Sequence, residues 1–328
     1  MPLPIVLLGA AGAAAKVAAA AAAAGGIGAA IHGGKKIKDA NDSIKAAQAR
    51  HDQNIARYHE QNEMTTAELE KLGRYELNLV RNFQTFADLY EKIEYDNAKK
   101  NSALGQVQTD GVALPRVELD DLRVAAGNAN LALGKMTAGT LAGVAATNVA
   151  IGAIGGLVGG PVALVSLGGT VSSILTWPVG VLTGGLVMNA SAGKQQKKAD
   201  EAWAQVHEAE ATIDKICIYL IDLRVAAQNY GVALGKVNKL YAPHLKEMVR
   251  IINTEKRLDW DTYTEEEQLL IENTVTLTRL LFKMCQVQLV LKTDDPNEIP
   301  ELNTDELHAV QADSDRVRAR IGVAATMR

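Results

Sequence analysis

The sequence predicts an all-α protein in which long amphipathic, coiled-coil-like helices flank a Gly-rich hydrophobic helical hairpin, the whole forming an oligomeric bundle. Three observations predict it. Apolar residues recur at helical spacing from Ile37 to Ile93. The 58 residues from Met136 to Gly193 contain no Asp, Glu, Lys, Arg or His. Hydrophobic residues make up 48% of the chain but aromatics only 4%, with 28 Gly. Apolar area supplied by Ala, Val, Leu and Ile, with so much glycine, suits helices whose backbones approach closely, as in membrane bundles.

The first segment, 1–32, is an Ala/Gly-rich hydrophobic helix interrupted by Lys16. It lacks the basic start of a secretory signal, because Met1-Pro2-Leu3-Pro4 carries no cation. It reads as retained, either as a second membrane-active helix over 3–31 or as a helix packed in a bundle. Gly33-Gly34 separates it from a long amphipathic helix, 33–97. There a seven-residue step picks out Ile37, Ile44, His51, Tyr58, Thr65, Leu72, Leu79, Phe86 and Ile93. The companion rows include Ala40, Ala47, Ile55, Leu69, Tyr75, Phe83, Leu89 and Tyr90. The polar members at 51, 54, 61 and 65 predict a bend or a wet seam midway. Segment 98–135 begins as a loop rich in Asn, Gly, Asp and Pro and becomes an amphipathic helix over 119–136.

Segment 136–193 decides the functional expectation. One span of a ~30 Å hydrocarbon layer needs about 20 residues, so its length fits two spans and a turn. The spans are expected near 138–158 and 170–190, with Gly159-Gly160-Pro161 and Gly168-Gly169 as turns. Glycines four apart (Gly139/Gly143, Gly152/Gly156/Gly160, Gly155/Gly159 and Gly180/Gly184) form faces for close helix contact in lipid. The polar groups are Thr147, Asn148, Ser172, Ser173, Thr176 and Asn189; they face a lumen or bond between helices. The alternative is a hairpin enclosed in a protein core. Lys135 before the hairpin and Lys194, Lys197 and Lys198 after it place both ends on the cytoplasmic side by the positive-inside rule.

Segment 194–292 returns as helices, with a break expected at Tyr241-Ala242-Pro243. Thr264 and Glu267 form a capping box that opens a helix to about 292. Segment 293–328 is a polar tail with room for one more helix. One internal echo stands out. Asp121-Leu-Arg-Val-Ala-Ala126, Asn128 and Ala132-Leu-Gly-Lys135 recur as Asp222-Leu-Arg-Val-Ala-Ala227, Asn229 and Ala233-Leu-Gly-Lys236. As paired equivalent helices they would offer Arg123, Lys135, Arg224 and Lys236 to an anionic ligand in an oligomer. The alternative is four unrelated surface cations.

Catalytic chemistry is not legible. The six histidines show no metal-ligand spacing. Gly28, Gly33 and Gly34 fail the P-loop pattern, since no Ser or Thr follows the lysines and no strand precedes them. Cys217 and Cys285 read as buried free thiols. No catalytic residue, cofactor or metal is expected, and the chain is not expected to be an enzyme. The net charge of −4 excludes broad nucleic-acid binding by a basic surface.

Several motifs carry a resemblance over about 30–300. They are the Ala/Gly-rich start, Gly-Gly-Lys-Lys-Ile-Lys-Asp-Ala (33–40), Leu-Gly-Arg-Tyr-Glu-Leu (72–77), the Gly-rich hairpin, Ala-Gly-Lys-Gln-Gln-Lys-Lys-Ala-Asp-Glu-Ala (192–202) and Tyr-Thr-Glu-Glu-Glu (263–267). With them the chain resembles bacterial helical membrane effectors, among them the channel effectors of Hailong anti-phage systems. A more distant similarity is to apolipoprotein-L and colicin-type pore formers. The resemblance implies a homo-oligomeric channel in antiviral defence, partnered by the lipid bilayer. It also implies gating by a short single-stranded DNA oligomer that a partner nucleotidyltransferase makes. The implied location is the bacterial inner membrane, or the cytoplasm with conditional insertion. A non-pore coiled-coil adaptor anchored to the membrane, or a helical scaffold, is the alternative.

Overall fold

A computed structural model of the chain describes residues 27–94, 108–109, 112–136, 192–291 and 299–326. These form α1 (Ile27–Lys92), a two-residue ribbon β1 (Gln108–Thr109) with β2 (Val112–Ala113), α2 (Leu119–Met136), α3 (Ala192–Val249), α4 (Glu265–Met284) and α5 (Thr304–Thr326). The all-α class holds. The ribbon pairs antiparallel, Gln108 with Ala113 and Thr109 with Val112. Asp110-Gly111 between them is the dipeptide that two-residue hairpin turns favour.

The long helix is one piece. α1 runs 66 residues, roughly 99 Å, through Gly33-Gly34 and through the polar middle, so neither interrupts it. Its seven-residue stripe is buried from His51 to Ile93. The middle of the stripe is a buried polar seam and no bend interrupts it: His51 and Asn54 are both buried, and neither His51 ring nitrogen nor Asn54 Nδ2 has a hydrogen-bond partner.

The expected break at 241–243 does not occur. α3 continues through Pro243 to Val249. Proline has no N–H for the carbonyl four residues back. The next residue adds a side-chain contact to the same turn: His244 Nδ1 lies 2.8 Å from Leu240 O, which requires the proton on Nδ1 because a carbonyl only accepts. Tyr241 is fully buried beside Phe83, and this packing holds the proline-bearing turn in place. The helix then widens to a π-turn over Arg250–Thr254 and closes with Arg257 N donating to Ile251 O. Lys256 takes φ 59° there, the left-handed conformation that glycine adopts without a Cβ penalty. Lys256→Gly should therefore stabilise the fold by about 1 kcal/mol, read as a higher urea midpoint. An unchanged or lower midpoint would count against strain at this position.

α4 opens as the sequence predicts. Thr264 Oγ1 accepts from Glu267 N at 3.3 Å, and Thr264 N donates to Glu267 Oε2 at 3.0 Å. It ends at Met284, short of 292, where Cys285 N and Val287 N close the last turns. The tail is structural. α5 buries Leu307, Val310, Val317 and Ile321 in the main core. It runs antiparallel to α4, since Lys283 pairs with Asp313 at 2.8 Å while Arg320 reaches Thr276 at 3.5 Å.

Two directions organise everything else. Ser43 meets Trp203, Arg50 meets Glu210, Arg57 meets Asp214, Thr65 meets Leu220 and Lys92 meets Asn253. Both numbers rise together, so α1 and α3 are parallel. α2 is fixed to α1 through Arg123, which pairs with Asp88 and Glu91. Because α1 stops at Lys92, an 18-residue helix anchored there stays on α1 only by running back along it. α2 is therefore antiparallel to α1, with Leu122, Ala125, Ala126, Ala129 and Ala132 buried.

Candidate functional site

The hairpin residues Gly139, Gly143, Asn148, Gly152, Gly156, Gly160, Ser172, Ser173, Thr176, Gly180 and Gly184 lie outside the described residues. The described residues show where the chain enters and leaves that segment. α3 begins at Ala192. Extending the Ser43–Trp203 level down the parallel pair sets Ala192 within a few residues of the start of α1. The two apolar stretches of sequence, 1–26 and 137–191, thus both border one tip of the α1–α3 stalk. The other border of the second stretch, Met136, lies elsewhere. With Arg123 opposite 88–91, α2 reaches Met136 near the level of residue 76 of α1. Along α1 the two borders stand about 65 Å apart.

The stalk pair is held by few and mixed contacts. Ala47, Ala202 and Val206 form a small cluster with Trp203 packed against it, and Trp203 Nε1 donates to Ser43 Oγ at 3.0 Å. Arg50–Glu210 and Arg57–Asp214 bridge the helices at the surface. Such exposed pairs contribute little, because water and salt screen them. Burial holds the His51 imidazole below its ordinary value, so this seam carries a neutral ring. Nearer the other end the seam becomes a true core. Phe83, Phe86, Leu89, Tyr90, Leu220, Leu223, Leu234 and Tyr241 are all buried there.

The four repeat cations separate by environment. Arg123 is engaged by three carboxylates: Asp88 at 3.1 Å, Asp120 at 3.2 Å and Glu91. Arg224 has a buried Nη1 without a hydrogen-bond partner. Lys236 is exposed. Leu220 sits opposite Thr65, and a Cβ on Gly235 would lie 3.7 Å from the Tyr75 hydroxyl. Arg224 therefore stands near the level of residue 69 of α1, about 30 Å from Arg123. Lys135 and Lys236 come to nearly the same level, since the two repeat copies run in opposite directions. One chain thus does not gather the four cations into one site.

Two buried ionisable groups were not singled out by sequence. Glu76 is buried, and burial pushes its carboxyl up to about 8. A signal existed: Glu76 occupies the seven-step row Leu69, Glu76, Phe83, Tyr90. Arg279 is also buried; its Nε and Nη2 donate to Pro115 O and Leu114 O, both at 2.9 Å. This fork ties α4 to the segment leading into α2. No local pattern marks it, because its acceptors are backbone atoms far away in sequence.

Cys217 and Cys285 are free and buried. Burial raises both thiols, which disfavours the reactive thiolate. Among the described residues no group of His, Cys, Asp or Glu side chains is placed to hold a metal. Among them, too, no helix is long and apolar enough to cross a membrane. No protein-family model, curated protein or solved structure matches the chain.

Proposed function

We propose that this protein is a membrane-permeabilising effector of the pore- or channel-forming kind, whose lipid-seeking part is segment 136–193. The observation that carries this reading is the absence of any ionisable side chain over those 58 residues. Even one Asp or Lys at the centre of a span costs about 2.5–3.5 kcal/mol on insertion scales, and here none has to be accommodated. Uncharged helices provide no selectivity filter of charged side chains, so the expected activity is leak and depolarisation. The antiviral role and the bacterial inner-membrane location come with the resemblance and share its test.

Gating by a single-stranded DNA oligomer belongs to the same proposal. It requires cations from several copies, given the 30 Å between Arg123 and Arg224 within one chain. The second reading, a membrane-anchored adaptor without a pore, draws on the paired heptad helices. Leak separates the two. Purified chain added to vesicles holding a self-quenched dye should release the dye, and cells expressing it should lose membrane potential. Gly152→Leu, which fills a small-residue face, should remove most of both effects while leaving the helical content intact. Vesicle binding with full retention of dye would instead establish the adaptor.

A further inference from the structure

The outer face of α3 carries an apolar row with nothing packed on it among the described residues. Ala204, Ala211, Ile218, Val225 and Val232 follow at strict seven-residue steps, and all five are exposed. Ile218 is 60% exposed and Val232 58%, although the same helix buries Leu220, Leu223, Ala227 and Leu234 on its opposite side. Ile221, also exposed, sits between Ile218 and Val225. In coiled-coil terms the row occupies the a positions, with Ile221 and Gln228 at d.

The internal repeat shows that this is no accident of one helix. In both copies of Asp-Leu-Arg-Val-Ala-Ala the leucine, Leu122 or Leu223, is fully buried against the core, and the valine, Val124 or Val225, is exposed. Seven residues on, Leu131 and Val232 are exposed again. Packing onto α1 explains the leucine and leaves the outward valine unexplained.

We infer that the α3 row is an interface with a second copy of this chain, in which α3 pairs with its counterpart parallel and in register. The composition of the row favours one direction. A parallel pair sets a against a, so Ile218, Val225 and Val232 meet their own copies, and d against d, so Ile221 meets Ile221 and Asp214, which Arg57 of its own chain neutralises, meets Asp214. An antiparallel pair sets a against d, which would press the valines onto Asp214, His207 or Gln228. β-branched residues at a favour two strands. The flanking positions do not oppose it: Glu210 stays with Arg50 of its own chain, and no pair of like charges arises along these two edges. Parallel pairing also keeps the stalk tips of both copies on one side; this one point rests on the membrane reading above, and the row itself does not.

The row spans about 42 Å and one helix width, roughly 400 Å² per copy. That is half of what a standard stable interface buries per partner. The dimer is therefore a reversible one, populated at micromolar concentrations and strengthened where copies share a surface.

The test uses the full chain in detergent micelles. Wild type should sediment as a dimer at about 100 µM and dissociate on dilution, and Ile218→Glu with Val225→Glu should stay monomeric with unchanged helicity. Val225→Cys and Ala211→Cys should each oxidise to covalent dimers, whereas wild type, whose two thiols are buried, and His308→Cys on α5 should not. Mixing Ala204→Cys with a size-tagged Val232→Cys distinguishes direction, since a parallel pair gives only like-with-like products. Mixed products, or a wild type monomeric throughout with no Val225→Cys cross-link, would overturn the inference. Dye release is scored separately: a dimer without leak defeats the membrane reading alone, and leak without the cross-link defeats this one alone.

Discussion

Glu76→Gln should make the protein progressively more stable than wild type as the pH rises from 5 to 9. Glu76 lies on the α1 face turned toward α3 and the end of α4. Tyr230 and Cys285 are its neighbours there, and both are held above their ordinary values by burial first and by the Glu76 charge second. Its own carboxyl, with an ordinary value of 4.5, is pushed up to about 8 by burial alone. The folded state therefore holds a proton that the unfolded chain releases between pH 4.5 and 8. Stability from this group is fully present below 4.5 and is lost as the pH climbs through 8. The slope in that window is about 1.4 kcal/mol per pH unit, and the full cost at alkaline pH is on the order of 5 kcal/mol. Glutamine has the same shape and no charge to desolvate. The difference between the two urea-unfolding free energies, measured from pH 5 to pH 9, isolates this group from all others that titrate. Parallel curves over that range would show that the carboxylate finds water or a partner in the folded protein.

A loss of similar size is expected for Arg279→Ala. The guanidinium is 3% exposed and burial lowers its affinity for the proton, yet it remains charged at any pH of interest. Its hydrogen bonds to Leu114 O and Pro115 O are charge-assisted and run from one rigid fork. Truncation removes both and leaves the buried Leu114 carbonyl without this donor. About 3–5 kcal/mol should be lost. Lysine keeps the charge but loses the fork, and should recover only part of this. Because the contact anchors the start of α2, hydrogen exchange in α2 should accelerate before exchange in α4. A loss below about 1 kcal/mol, or uniform exchange across both helices, would mean that the fork is dispensable.

Much of the helical layout was legible because its determinants are local. The seven-residue row from Ile37 to Ile93 is a pattern of near neighbours, and the structure buries it from His51 onward. The Thr264–Glu267 capping box involves atoms three residues apart, and α4 opens on it. The non-helical stretch just before Leu119 follows composition. Pro243 is instructive in the other direction. Read locally it ends a helix, but the burial of Tyr241 outweighs the missing donor. Similarly, α5 looks like a polar tail because its apolar positions are sparse; only α3 and α4 provide the surface that buries them.

The candidate site divides along the same line. The sequence alone determined that 136–193 is free of charge and that one motif is written twice, because charge content and repetition need no neighbours to be seen. The tertiary structure alone decided that α1 and α3 run parallel while α2 runs back, that the two motif copies consequently point in opposite directions, and that Arg123 and Arg224 stand far apart. It also decided which valine of each copy faces outward. Helical periodicity fixes which residues share a face; it carries no information about which face a distant segment will cover or from which end that segment arrives. Those choices depend on contacts across some 160 positions of chain, and their free energy exists only once the chain has folded.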